Sequence, residues 1–223
     1  MSAMDAIDAF DRDVTAALMR VAAREGWANT TLAAVAREAD TTLAALRPRF
    51  RDRADVLDRF GMVIDSIVLA GTPPLNEADT VKDRLFDILM RRFDALAPHR
   101  DGVLEAWRAM RQDPLFALAR LPASILSMRW MLEAAGVSSA GAAGFARAHG
   151  LFAVWLTAFR AWETDATPDL APTMAALDKA LTRAESLAET VAPWFGGRAL
   201  SPPSPPAAPA RAPLGAGSEP TGV

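Results

Sequence analysis

The chain has no cysteine and no tyrosine, and only two histidines, His99 and His149. Without cysteine there is no disulfide and no thiolate metal ligand, so we expect a protein of the reducing cytoplasm. Two separated histidines do not make a zinc site, and we expect neither a metal nor another cofactor. We also find no nucleophile–base pair and no glycine-rich phosphate loop, which argues against an enzyme.

Long apolar runs and an excess of positive charge are also missing. No uninterrupted apolar stretch of about 18 residues occurs, so we expect no membrane span. The formal net charge is −3, so any contact with nucleic acid has to come from a local basic patch. Hydrophobic residues make up 51% of the 223 residues, which suffices for one sizeable core or for a small domain attached to a larger one.

Apolar residues recur at steps of three and four, which predicts an all-α protein. The first helix is expected at about residues 5–25, ending at Gly26, and a short second helix at 31–38, capped by Thr30. A third begins after Thr42, and the others are expected at 52–70, 78–96, 102–111, 114–135, 140–163 and 169–192. Pro122 should kink or split the helix that contains it.

Two short helices joined by a tight turn, after a longer one, describe a helix-turn-helix, whose second helix enters the major groove of DNA. The stretch TTLAALRPRF, residues 41–50, is the candidate for that second helix. Residues 37–53 hold five arginines against three acidic residues, a local charge of +2. Ordinary solvated helix ends are the alternative interpretation of that charge.

Residues 14–57 resemble the N-terminal domain of TetR-family regulators. The resemblance is carried by AREGWANTTLAAVAREADTTLAALRPRFRDRADVL, with Trp27 after the glycine, Phe50 ending the third helix and the Asp52-Arg53 step into the fourth. It implies a TetR-like fold: a helix-turn-helix domain at 1–51 and a helical ligand-binding and dimerisation domain at 52–195. The tail, 196–223, holds 7 of the 16 prolines and is expected to be disordered.

The same resemblance implies that Thr31, Thr42 and Arg53 contact phosphates, and that Thr41, Leu43, Ala44 and Arg47 lie at or near base-facing positions. The candidate DNA-binding residues are Thr30, Thr31, Thr41, Thr42, Leu43, Ala44, Arg47, Arg49 and Arg53. Leu43 stands where the family often has lysine, Pro48 interrupts the reading helix, and aspartates at 5, 8, 11 and 13 make the leading arm acidic. An aspartate near a phosphate opposes binding.

The second part of the chain is rich in large, deformable apolar side chains. The family resemblance implies that an apolar small-molecule effector binds here, in a pocket between helices. The candidate ligand-binding residues are Phe86, Met90, Phe93, Trp107, Met110, Met128, Trp130, Met131, Phe152, Trp155 and Phe159. Plain core packing is the alternative for each of them.

The last helix has an apolar seam from Leu170 to Val191 that steps by four and three, as in helical bundles. The helix before it carries small residues, among them Gly141, Gly144, Gly150 and Ala153, which allow close approach. In TetR-like proteins the last two long helices form a two-fold interface, so the resemblance implies a homodimer built as a four-helix bundle. A hairpin within one chain is the alternative.

A second, shorter resemblance concerns residues 159–187, which look like the matching segment of a TetR-fold ubiquinone-biosynthesis accessory protein that binds lipid. Two hypotheses therefore remain. The first is a dimeric, ligand-responsive regulator, a repressor, that binds a double-stranded DNA operator. The alternative is a TetR-fold protein that binds lipid or isoprenoid and does not bind DNA.

Overall fold

The structure is a computed structural model that describes residues 7–76 and 78–191, and all regular elements within those ranges are helices. The predicted all-α class is confirmed. The helices are α1 Ala9–Glu25, α2 Leu32–Glu38, α3 Leu43–Leu46, α4 Arg53–Gly71, α5 Val81–Leu96, α6 Arg100–Gln112, α7 Pro114–Ala134, α8 Gly141–Thr164 and α9 Ala171–Val191. The predicted disordered tail, 196–223, lies outside the described residues.

Short polar side chains define where the first four helices begin. Asp8, Thr31, Thr42 and Asp52 each accept a hydrogen bond from the backbone N–H three residues further on. The prediction of Thr30 as the cap of α2 is wrong by one residue. The Thr30 side chain is buried, and its hydroxyl donates to the carbonyl oxygen of Gly26 at 2.9 Å.

Two residues with positive φ shape the turns of the first three helices. Gly26 has φ 77°, and its N–H donates to the carbonyl oxygen of Ala22 at 2.9 Å, so the predicted end of α1 is confirmed. Asp40 has φ 49° between α2 and α3. A short polar side chain tolerates this left-handed conformation better than most, which explains an aspartate in a turn that glycine would fill without strain.

Pro122 does not split its helix, because α7 continues through it from Pro114 to Ala134. A proline in a helix removes the donor for the carbonyl four residues earlier, here that of Leu118. Both Leu118 and Pro122 are exposed, so water can reach the carbonyl that loses its partner.

Helix α1 lies between the other helices of the motif and the rest of the protein, and packs on α2, α4 and α6. The contact with α6 is close, since a Cβ on Gly102 would lie 2.3 Å from the carbonyl oxygen of Met19. Trp27, which follows α1, and Phe116 of α7 form a second contact, with ring centroids 5.6 Å apart. One apolar cluster therefore runs through both predicted domains, from Val14 in α1 to Leu181 in α9. The predicted division at residue 52 stays a prediction.

Candidate nucleic-acid interface and effector region

The candidate reading helix is a single turn, α3, whose outer side is open to solvent. Leu43, Ala44 and Arg47 are exposed, while Leu46 and Phe50 anchor the turn in the core. The hydroxyls of Thr31 and Thr42 cap α2 and α3 as acceptors and remain exposed, so their hydrogens are free to donate outward. Thr41 is half-buried, and its N–H donates to Ala36.

Arg53, a predicted phosphate contact, has one of its guanidinium nitrogens engaged inside the protein. Its Nη1 donates to the carbonyl oxygens of Trp27 at 2.7 Å, Ala28 at 3.2 Å and Thr30 at 2.8 Å. The guanidinium also lies 5.2 Å from the centroid of the Trp27 ring. Arg53 thereby connects the beginning of α4 to the loop between α1 and α2 and stabilises their packing.

Arg49 is held by the acidic arm that precedes and begins α1. Its Nη1 lies 2.7 Å from Oδ2 of Asp8 and 3.2 Å from Oδ1 of Asp11. Hydrogen bonds from the Asp11 backbone and from Arg49 lower the pKa of Asp8. Asp11 is buried and also pairs with Arg59 at 3.5 Å. The aspartates that the sequence presents as repelling DNA therefore include two that bind the protein's own arginines.

Two arginines of the basic stretch remain available. Arg51 pairs with Asp55 at 3.2 Å, whereas Arg37 and Arg47 are exposed and have no ion pair within the described residues. Asp40 is exposed nearby. The local excess of positive charge that the sequence suggests is therefore mostly used within the fold, and Arg47 is the cation on the outer side of α3.

In the body, which comprises the described residues after Arg53, four of the eleven candidate ligand residues form a packed aromatic cluster: Phe93, Trp107, Trp155 and Phe159. Phe93 stacks on Trp155 at 4.5 Å between ring centroids, and Phe159 lies 5.1 Å from Trp107 and 5.8 Å from Trp155. Met128 and Met131 are buried, whereas Phe86, Met90, Met110 and Phe152 are half-buried against the same core. Trp130 does not join them, because its ring faces solvent on α7.

Two surface grooves accompany this core. One, of about 400 Å³, lies between α5 and α9 and includes Phe86, Lys82 and Asp178. The other, of about 520 Å³, lies between α7 and α8 and includes Leu126, Phe145 and His149. Only Phe86 of the candidate ligand residues lines either groove.

A buried polar network next to the aromatic cluster was not predicted. Asp65 of α4 accepts hydrogen bonds from Arg92 of α5 and from the Ser127 hydroxyl of α7, the latter at 2.7 Å. The Arg92 guanidinium lies 5.2 Å from the Trp155 ring centroid. The signal in the sequence is a single acid inside the apolar run of α4, GMVIDSIVLA. A charge at a core position requires a buried partner.

Two buried donors in this part of the body have no acceptor among the described residues. They are Nε of Arg92 and the indole nitrogen of Trp162. Trp162 is fully buried, with its ring 5.7 Å from that of Phe93 and 5.3 Å from that of Phe159. Trp107, in contrast, donates its indole N–H to Glu163 at 3.1 Å.

In residues 159–187, the segment with the second resemblance, several of the polar residues form hydrogen bonds or ion pairs within the chain. Asp165 accepts hydrogen bonds from the backbone N–H and hydroxyl groups of Thr167 and Thr173, which hold the connection into α9. These bonds, those from Thr167 first, hold the pKa of the Asp165 carboxyl well below its usual range. Leu177 is buried, and Asp178 pairs with Lys82 at 2.7 Å.

The predicted dimerisation seam of α9 is used in part within the chain. Leu177 and Leu181 are buried where α9 packs on α8 and α5. Gly144 is also internal, since a Cβ there would lie 2.0 Å from the backbone of Ser139. The outer side of α8 stays open, and many of its exposed residues are small, among them Ala142, Ala146, Gly150, Ala153 and Thr157, whereas Phe145 and Arg160 are large and also exposed.

Possible metal ligands are dispersed. Within residues 7–76 and 78–191 no three of the histidine, aspartate and glutamate side chains are grouped to hold a metal ion. His149 Nδ1 lies 2.8 Å from the carbonyl oxygen of Phe145.

Comparisons with known proteins identify the fold. No family model matches the chain, and no curated protein matches it. The structure resembles that of a TetR transcriptional regulator from Nitrosomonas europaea, with a TM-score of 0.64 and 20% sequence identity, over 80% of this chain and 99% of that one. A TetR-family regulator from Mesorhizobium loti matches with a TM-score of 0.47 and 16% identity, over 80% and 96% of the two chains. The chain therefore has the all-α TetR fold.

Proposed function

We propose that this protein is a dimeric, ligand-responsive DNA-binding regulator that acts as a repressor. The observation that carries the proposal is the open side of α3, where Leu43, Ala44 and Arg47 face solvent between the exposed hydroxyls of Thr31 and Thr42. The solved structure from Nitrosomonas europaea, which shares the fold, is named a transcriptional regulator.

Each of these side chains has a distinct task in the proposed complex. The two threonine hydroxyls donate to phosphates and set the register of the motif on the duplex. Arg47 reads a base edge in the major groove, for which a bidentate contact to guanine is the commonest arrangement. Leu43 and Ala44 offer apolar contact, which suits a thymine methyl group. Arg49 and Arg53 stabilise the motif through internal contacts of Nη1, and the DNA contacts that the family resemblance implies for them stay a prediction.

The proposed effector is an apolar molecule that carries a hydrogen-bond acceptor. Its site is the aromatic cluster around Phe93, Trp155 and Phe159. Arg92 and Trp162 each have a buried donor without a partner among the described residues, which favours a ligand with an acceptor such as a carbonyl oxygen. Because the cluster is packed, ligand entry has to separate helices. The Asp65–Arg92–Ser127 network joins α4, α5 and α7, so such a separation moves α4, which leads to the reading helix.

The proposed dimer brings the open sides of α8 from two copies together. The exposed small residues there, among them Ala146, Gly150 and Ala153, allow helix backbones to approach closely. Helix α9 supports the contact at its side, and its own seam remains within the chain. A two-fold pair presents two copies of Arg47, as a palindromic operator requires.

Fluorescence anisotropy with the DNA upstream of the protein's own coding sequence tests the proposal. The parent should bind with an affinity that falls steeply as salt rises, because phosphate contacts release counterions. Arg47→Ala should lower affinity by about 1–3 kcal/mol and relax sequence preference. Arg183→Ala, at an exposed position of α9, is the control and should bind like the parent. Absence of any complex at low salt would contradict the proposal.

The second candidate function is an accessory protein that binds lipid or isoprenoid and not DNA. The observation that favours it is the internal use of Arg49 and Arg53, which leaves few cations on the reading side. Native mass spectrometry of the purified protein distinguishes the two candidates. A co-purified isoprenoid without any operator complex supports the second, whereas a tight operator complex and no lipid excludes it.

A further inference from the structure

Arg49 lies at the end of the candidate reading stretch, residues 41–50, and shares its charge with two aspartates at the start of α1. Its Nη1 lies 2.7 Å from Oδ2 of Asp8 and 3.2 Å from Oδ1 of Asp11. The two carboxylates differ in exposure, because the side chain of Asp8 is 45% exposed and that of Asp11 is 1% exposed. Asp8 is therefore the outer partner of Arg49, which solvent or another anion can reach.

The position of Arg49 does not depend on Asp8 alone. Its guanidinium lies 4.9 Å from the centroid of the Phe10 ring, and its second carboxylate, Asp11, also pairs with Arg59 at 3.5 Å. Both hydrogen bonds to the aspartates come from Nη1, and the side chain is 34% exposed. Its Nε and Nη2 make no hydrogen bond within the described residues. Arg49 can therefore stay in place and donate to a ligand when the Asp8 carboxylate leaves.

The charges of this cluster cancel. Asp8 and Asp11 contribute two negative charges, and Arg49 and Arg59 contribute two positive charges. Hydrogen bonds from the Asp11 backbone and then from Arg49 lower the pKa of Asp8, so its carboxyl is ionised at neutral pH. Carboxylates and phosphates accept hydrogen bonds from the same guanidinium donors. A DNA phosphate that approaches Arg49 therefore meets a neutral cluster with a competing anion on its outer side.

We propose that Asp8 is an internal competitor of the DNA backbone, which occupies Arg49 in the free protein and gives way when a phosphate binds there. This inference rests on the proposed function and deepens it. It assigns Arg49 as a phosphate contact and Asp8 as the group that lowers the affinity of that contact. Because phosphates carry no base information, the effect is the same on every DNA sequence.

Fluorescence anisotropy with the full chain and the duplex DNA upstream of its coding sequence tests the proposal. Asp8→Asn should raise the affinity by about threefold to tenfold at low salt, because it removes the competing charge beside Arg49. Asparagine caps a helix as well as aspartate, so the hydrogen bond from the Asp11 N–H is retained. One additional phosphate contact should make the slope of log affinity against log salt steeper by about 0.9. A duplex of random sequence should show the same gain.

Three further variants locate the effect. Asp8→Asn/Arg49→Gln should lose the whole gain, because no guanidinium remains for the phosphate. Asp8→Ser, which also caps the helix and carries no charge, should repeat the gain. Asp13→Asn is the matched control, since Asp13 is an exposed aspartate of α1 that forms no ion pair within the described residues. It removes the same charge and should change the affinity by less than about twofold.

Thermal unfolding of each variant beside the parent checks that the fold is retained. With a parent that binds DNA, three results overturn this inference and leave the proposed function standing: no gain in Asp8→Asn and Asp8→Ser, an equal gain in Asp13→Asn, or a gain that persists without Arg49. Absence of any complex at low salt, for the parent and for Asp8→Asn alike, overturns the proposed function and this inference with it. The two failures are thereby distinguishable.

Discussion

The head of this protein, residues 7–53 with the helix-turn-helix, and its body, the described residues after them, use arginine in different ways. In the body, Arg92 is buried between helices, pairs with Asp65 and lies over Trp155. In the head, Arg53 holds three backbone carbonyls, whereas Arg47, six residues earlier, is exposed and free of ion pairs within the described chain. The difference shows that arginines in one sequence motif can have different roles, since one is partly engaged by the protein's own backbone and the other is open to solvent.

The largest loss of stability is expected from a substitution in the body. Asp65→Ala leaves Arg92 buried without its partner, and should lower the free energy of unfolding by about 3–5 kcal/mol. Urea denaturation followed by circular dichroism measures the loss. Asp55→Ala, which removes a pairing partner of the exposed Arg51, is the matched control and should cost much less. Equal losses in both variants would contradict the contrast between buried and exposed pairs.

The next effect concerns the contact between head and body. Gly102→Ala places a Cβ against the Met19 carbonyl and should lower the free energy of unfolding by about 1–3 kcal/mol. Gly61→Ala in α4 meets no atom within 4 Å, and should instead raise it by up to about 1 kcal/mol, because alanine favours helix over glycine. Thermal unfolding of the two variants distinguishes them by the sign of the shift in Tm. The same sign for both would show that α1 and α6 do not pack this closely.

Substitution of Arg53 should lower the stability of the protein, whereas substitution of Arg47 should lower its affinity for DNA. Arg53→Ala removes charged hydrogen bonds to three carbonyls, and should lower the free energy of unfolding by about 1.5–3 kcal/mol. Arg47→Ala should leave stability within about 0.5 kcal/mol of the parent, since its side chain is exposed. Urea denaturation beside operator binding measures both quantities. A stable Arg53→Ala variant with weakened DNA binding would return Arg53 to the phosphate-contacting role that the family resemblance implies.

The smallest effect depends on pH. His99 packs edge-on against Phe60 with ring centroids 5.3 Å apart, and burial, followed by the charge of Arg20, lowers its pKa. Because the unfolded chain binds the proton more readily, the free energy of unfolding should fall as pH drops from above the ordinary histidine pKa to below it. His99→Gln should flatten that dependence between about pH 7.5 and 6. An unchanged slope would exclude His99 as its source.

The helices were largely predictable because their apolar period and their punctuation are local. The end of α1 at Gly26 and the start of α3 after Thr42 are confirmed. The cap of α2 was misplaced because Thr30 and Thr31 are both suitable caps, and only the fold shows that the Thr30 hydroxyl bonds Gly26 instead. Pro122 was expected to kink or split α7; the helix is not split, and a kink at Pro122 stays a prediction.

The candidate sites were less predictable than the helices. A motif match predicts the position of a residue in the fold, but it does not predict its hydrogen-bond or ion-pair partners. Sequence alone cannot tell that Arg49 meets Asp8, 41 residues earlier in the chain, or that Asp65, Arg92 and Ser127 converge from three helices. The sequence likewise does not show which of the candidate ligand residues are buried and which are exposed. Phe93 and Trp130 look alike in sequence, yet one is fully buried and the other is exposed.

The close packing of Gly102 on Met19 has a consequence for how a signal travels. A Cβ on Gly102 would meet the Met19 carbonyl, so α1 and α6 are in close backbone contact, and we expect the helix-turn-helix to follow a displacement of α6. Under the proposed function, a tilt of α6 on effector binding changes the distance between the Arg47 side chains of the two copies, and Gly102 is the residue through which that tilt passes to α1.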